Sequence, residues 1–185
     1  MVVAIGQYIE THPSYRDYDE QAPVVAQALI ELITEANSRL RVEHIGSSSV
    51  PGCGGKGYID LMVLYPDGAL DAANQALADL GFQRQGSRDP FPEDRPMRIG
   101  SVLHNGLRYL IHAHVIAESS LEVEVMLGFR DRLRSDHSLI RAYEAEKRRI
   151  LAEGVQDGVD YAERKSDFVQ ATLRLRLDSS SGCGG

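Results

Sequence analysis

Only two cysteines, Cys53 and Cys183, occur in the 185 residues. Two cannot build a disulfide framework, and no paired Cys-x-x-Cys motif offers a zinc site. A reducing, cytoplasmic setting is therefore expected. Long hydrophobic runs are missing as well. No stretch approaches the roughly 18 consecutive apolar residues of a membrane-crossing helix. The start of the chain lacks a basic segment followed by a long apolar run, so no secretory leader is expected. Positive charge is also scarce: 20 Lys and Arg face 27 Asp and Glu, a formal net charge of -7. A broad basic surface for duplex nucleic acid is not expected from such a balance. A small anionic ligand remains compatible with it, because a local cationic pocket does not need a basic protein. What is present is ordinary for a globular domain: 43% hydrophobic and 25% charged residues, enough chain for one proper core.

Periodicity orders the chain coarsely. Val24, Val25, Ala28, Leu29, Leu32, Ile33 and Ala36 recur at helical spacing between about Asp19 and Arg39. Val42 to Ile45 reads as a short strand. Ser48-Ser49-Val50-Pro51 reads as a helix start, with Pro51 tolerated in a first turn. Tyr58 to Tyr65 is a strand closed by Pro66-Asp67-Gly68, a turn signal. Leu70 to Leu80 is an amphipathic helix ended by Gly81, and Phe82 to Gln85 a short strand. Asp89 to Pro96 carries three prolines and reads as a loop bordering a cleft. Ile99 to Leu103 and Leu107 to Ile116 form a hairpin around Asn105-Gly106. Three helices follow, the first opened by Ser119 or Ser120, with a break at Ser135-Asp136-His137 before the second. The last spans about Val159 to Leu177. The pattern is mixed α/β (α+β): a small mixed sheet flanked by helices, with a helical C-terminal part. Residues 1–178 read as one domain, and 179–185 as a disordered Ser/Gly tail.

The chemistry concentrates between Val42 and Leu64. A strand runs into Gly46-Ser47-Ser48-Ser49, then a glycine-rich turn with Lys56, then a strand carrying Asp60. Gly46 lets backbone approach a ligand without an intervening Cβ. The serines offer hydroxyls and N–H groups where anions bind well. The turn is not a Walker A loop, since Val50 and Gly57 stand where glycine and Ser/Thr are required. Nor is it a dinucleotide fingerprint, for G-x-G-x-x-G does not follow the first strand. A plain connector between two strands is the competing reading.

His44-Ile-Gly-Ser-Ser-Ser-Val-Pro-Gly, followed by Lys56 and Asp60, resembles the signature of the GrpB family. Phe129-Arg-Asp-Arg-Leu-Arg, Tyr143, Lys147, Tyr161 and Lys165 are similar to that family's downstream block. The resemblance covers roughly Glu43 to Phe168. It implies a nucleotidyltransferase-like fold, in which a Gly-Ser pair at a strand end holds nucleotide phosphates and an Asp-x-Asp or Asp-x-Glu pair on the next strand holds divalent metal. Gly46-Ser47 match the first element. Asp60 matches only half of the second, because position 62 is Met62. The later strand, where a third acid is usual, offers His112 and His114 instead. One carboxylate is poorly suited to two metal ions, which puts the usual two-metal reaction in question.

The expectation is thus a protein that binds a nucleotide or another phosphorylated small molecule. In that reading it would transfer a nucleotidyl group to an unknown acceptor, with Mg²⁺ or Mn²⁺ held by Asp60. The alternative is a non-catalytic binding module with a degenerate metal site. Asp60, His112 and His114 are the candidate catalytic residues. His44, Gly46, Ser47, Ser48, Lys56 and Arg130 are the candidate phosphate-binding residues. His112 and His114 share one strand face. With Asp60 they could hold a transition metal for hydrolysis, serve as acid or base, or be plain surface histidines. Arg130 could equally pair with Asp131 or Glu146, and Arg98 is a further phosphate candidate. Glu122 and Glu124 sit in helical surroundings and form no carboxylate pair. Glu144 to Arg149 reads as a solvated helix face.

Overall fold

The computed structural model describes residues 4–9, 14–86, 90–155 and 158–180. Helix α1 (Ala22–Ala36) leads into strand β1 (Arg41–Ile45), a single 3-10 turn (Ser47–Ser49) and strand β2 (Ile59–Tyr65). Helix α2 (Leu70–Asp79), strand β3 (Gln83–Arg84) and the hairpin β4 (Met97–His104) and β5 (Leu107–Ala117) follow. Helices α3 (Leu121–Ser135), α4 (His137–Ala152) and α5 (Gly158–Ser180) complete the described chain. The sheet order is β1-β2-β5-β4-β3, with β2 and β5 parallel and the other pairs antiparallel. No described helix is long and apolar enough to cross a membrane.

Local chemistry explains the boundaries. Pro23 sits at the start of α1, where a missing N–H costs nothing. The hairpin turns on Asn105 and Gly106, both at positive φ, as a tight Asn-Gly turn requires. Asp136 both ends α3 and caps α4, its side chain accepting from the amides of Ser138 and Leu139. That double role is why the helical pattern breaks there. The expected helix at Ser48–Pro51 is corrected to one 3-10 turn. Pro51 lies outside it, and Gly52, Gly54 and Gly55 carry the chain onward as a loop. Helix α5 extends through Ser180, so most of the expected tail lies outside the described residues, as does part of the proline-rich loop.

Strand alternation separates two faces. Ile59, Leu61, Val63 and Tyr65 of β2 join Tyr109, Ile111, Ala113 and Val115 of β5 in the main core, against Val25, Leu29 and Ile33 of α1 and Ala73 and Leu77 of α2. Asp60 and Met62 therefore share the other face with His112 and His114, register partners across β2 and β5. Further along that face, Met62, Leu64 and Ile116 pack with Ile45 and with Val123 of α3. The last helices close on the loop after β1, where Val50 and Cys53 meet Leu133, Ile140 and Tyr143.

Candidate phosphate and acceptor site

The end of β1 meets the start of β2 at Gly46 and Asp60. Gly46 has φ +70°, and a Cβ there would collide with the Oδ2 of Asp60. Only glycine fits, for both reasons. The Asp60 carboxylate is thereby pressed against the bend that leads into Ser47, with its side chain 28% exposed. Its other oxygen, Oδ1, lies 3.5 Å from Nδ1 of His112. Burial opposes ionisation of Asp60, but His112, together with His114 and Lys165, outweighs it and holds the group below the usual carboxylate range.

Ser47 is held from behind by a lysine. Nζ of Lys147, from α4, donates to Ser47 Oγ at 3.0 Å, and also to the carbonyl of Gly54 and to Cys53 Sγ at 3.3 Å. The ammonium lies 4.2 Å from the centre of the Tyr143 ring. Lys147 is only 1% exposed, and burial pulls its pKa down, with Cys53 acting against that. The neighbouring Glu144 accepts from the Gly54 amide at 2.7 Å and from the Tyr15 hydroxyl at 2.6 Å. Arg16 and Gly55 exchange two backbone hydrogen bonds. The glycine-rich turn is therefore pinned on several sides. The reading of Glu144 to Arg149 as a solvated face is corrected at Glu144 and Lys147, while Arg148 and Arg149 are exposed. The signal was present: Ile140, Tyr143, Lys147 and Ile150 fall at helical spacing, all buried, so Lys147 sits on the apolar stripe.

His112 is enclosed by aromatic rings. Its Nε2 lies 3.0 Å from the Tyr8 hydroxyl, and Tyr8 and Tyr58 pack against the imidazole with centroids 5.7 and 4.9 Å away. His114 is drawn elsewhere: its Nδ1 lies 3.5 Å from Arg95, and the Phe91 ring stands edge-on at 5.5 Å. Burial, reinforced by Arg95 and opposed by Asp60, lowers the His114 pKa to about 3. Arg95 in turn grips Glu122, which accounts for that acid without a metal role. Among the described residues no three His, Cys, Asp or Glu side chains converge as a metal cluster. The His-His-carboxylate centre considered from sequence is not formed.

The remaining candidates scatter. His44 lies beside a hollow of about 350 Å³ lined also by Tyr18, Pro23, Pro51 and Arg134, and its Nε2 is 3.0 Å from Ser48 Oγ. Burial lowers its pKa to about 4. Lys56 lies 4.9 Å from the Tyr58 ring centre and 4.5 Å from that of Tyr161, at the aromatic edge of the site. Arg130 donates to Glu43 at 2.9 Å, to the His44 carbonyl at 3.1 Å and to Asp131 at 2.8 Å, clamping the end of β1 to α3. Its cross-element partner is Glu43; Glu146 pairs with Arg149. Arg98 is buried against Asn74 and Glu93 on the α2 side, away from Asp60. The structure thus brings together Gly46, Ser47, Asp60 and His112, and adds Lys147, Tyr8 and Tyr58.

A Gly-Ser bend at the end of one strand thus faces an acid on the next, within a small mixed sheet flanked by helices. The GrpB protein family profile matches residues 9–175. A UPF0157 protein of Streptomyces coelicolor is 30% identical over 161 residues, spanning 84% of this chain and 79% of that protein. One from Halalkalibacterium halodurans is 30% identical over 139 residues, spanning 75% and 68%. The crystal structure of the conserved protein GrpB from Enterococcus faecalis superposes with a TM-score of 0.65 at 19% identity, covering 89% of this chain and 99% of that one. The chain belongs to the GrpB family.

Proposed function

We propose that this protein binds a nucleotide or a related phosphorylated small molecule at the Gly46 bend, and transfers the nucleotidyl group to a hydroxyl. One observation carries the reading: Gly46, with no room for a side chain, sits between Asp60 and a serine held by a buried lysine. Phosphate oxygens would be received by the bend and by Ser47, with Lys147 supplying positive charge from behind. Asp60 fits a hard cation such as Mg²⁺ or Mn²⁺ only as one ligand among phosphate oxygens and waters. When bound, such an ion would neutralise developing phosphate charge. His112, backed by Asp60, would take the proton from the acceptor hydroxyl.

A second reading, a binding module without turnover, is favoured by Met62. That side chain is fully buried under α3 with Leu64, Ile116 and Val123, so the position of a second acid is apolar core. Thermal shift and calorimetry with nucleoside triphosphates, with and without Mg²⁺ or Mn²⁺, test the binding. Stabilisation is expected with nucleotide and metal together, and is expected to be lost in Asp60→Ala and Ser47→Ala. Binding unchanged in both variants would remove the assignment. Pyrophosphate release separates transferase from module.

A further inference from the structure

We propose that Tyr8 is an internal acceptor: its phenol oxygen takes a nucleotidyl group from a bound nucleoside triphosphate, so that the protein modifies itself. This rests on the nucleotidyl-transfer reading above. The geometry is that of a nucleophile, a base and an orienting acid. The Tyr8 hydroxyl is 3.0 Å from Nε2 of His112, within proton-transfer reach. The opposite nitrogen, Nδ1, faces Asp60 Oδ1 at 3.5 Å. A carboxylate there favours the proton on Nδ1 and leaves Nε2 as the acceptor. Asp60 Oδ2 is the atom pressed against Gly46, so the chain of groups leads from the phenol to the phosphate bend.

Tyr8 is brought there deliberately by the fold. Gly6 pairs with Ser101 of β4 through two backbone bonds, and the Tyr8 amide donates to Gln83 Oε1 at 2.8 Å. The Tyr8 ring then lies over the imidazole, while Tyr58 meets it edge-on. A ring needed only for packing would not have to aim its hydroxyl at the ring nitrogen remote from Asp60.

The step balances without an oxidant. The Tyr8 oxygen bonds to the α-phosphorus, and the bond from that phosphorus to the bridging oxygen breaks. Pyrophosphate leaves with the electron pair, and the phenol proton passes to His112 Nε2 and then to solvent.

The test incubates the full chain with each nucleoside triphosphate and Mg²⁺ or Mn²⁺, followed by intact mass and peptide mapping. The expected result is a mass increase of one nucleoside monophosphate less one water, located on Tyr8. Label is expected from α-labelled and not from γ-labelled nucleotide. Tyr8→Phe should abolish the adduct, and His112→Gln should slow adduct formation at least tenfold. The wild-type peptide map locates the label even if a variant fails to fold. Nucleotide-dependent stabilisation with no adduct, or with the adduct on another residue, overturns the Tyr8 assignment and leaves the nucleotide reading intact. No stabilisation by any nucleotide overturns both.

Discussion

Lys147 and Gly46 show how much of this site rests on single atoms. An ammonium removed from water needs partners that recover its hydration, and Lys147 finds Ser47, Gly54, Cys53 and the Tyr143 face. Lys147→Met keeps volume and removes the charge. The Gly54 carbonyl loses its donor, so unfolding should shift by about 1–3 kcal/mol. Nucleotide-dependent stabilisation should disappear, which the same thermal-shift series reads directly. Gly46→Ala should behave differently. The added Cβ meets Asp60 at a positive φ, a strain of about 1–3 kcal/mol. Denaturant unfolding is expected to shift by that amount, and binding to fall with it.

At the level of elements, α3 decides what the face of β2 can do. Val123 covers Met62, and Met126 and Leu127 pack on the same cluster, so the face is polar at Asp60 and apolar two residues later. Met62→Asp would recreate the Asp-x-Asp spacing in sequence. It would also bury a carboxylate among Ile45, Leu64, Ile116 and Val123, with His114 across the register, a desolvation cost of several kcal/mol. The expected outcome is a large loss of stability in urea titration and no gain in metal-dependent nucleotide binding. Arg130 ties the same helix to β1 through Glu43 and the His44 carbonyl. Arg130→Ala leaves both acceptors short of a donor and should cost about 1–3 kcal/mol. If Arg130 serves mainly as this clamp, that loss should exceed any loss in nucleotide affinity.

For the molecule as a whole, two histidines set the acid limit. His114 and His44 have folded pKa values lowered to about 3 and about 4, from 6.5 when unfolded. The unfolded chain therefore binds more protons as pH falls below 6.5, and stability must fall with it. Between pH 6.5 and 5 each histidine can contribute up to about 2 kcal/mol of that loss. Asp60, also held low, adds to the loss only below its ordinary range near 3.8. Unfolding followed across this window should show a steep acid limb, and His114→Gln should flatten it.

Helices, strands and hairpin were legible because each is written locally, in apolar spacing, in Asn105-Gly106 and in the break at Asp136. The meeting of Gly46, Ser47 and Asp60 was legible too, since a bend, a hydroxyl and an acid lie within 15 consecutive positions, 46–60. Lys147 looked like one more charge in a polar run, and no local pattern singled out Tyr8. Arg98 and Arg130 could each be read as a phosphate contact or as a structural arginine. Which way each points depends on packing between segments far apart in the chain: Lys147 lies 100 positions from Ser47 and Tyr8 104 from His112. The sequence by itself determined the elements and the bend that suits a phosphate. Only the tertiary structure decided which cation stands behind it, which hydroxyl faces the imidazole and why a second acid is missing, because burial and partnership are set by contacts that no local pattern encodes.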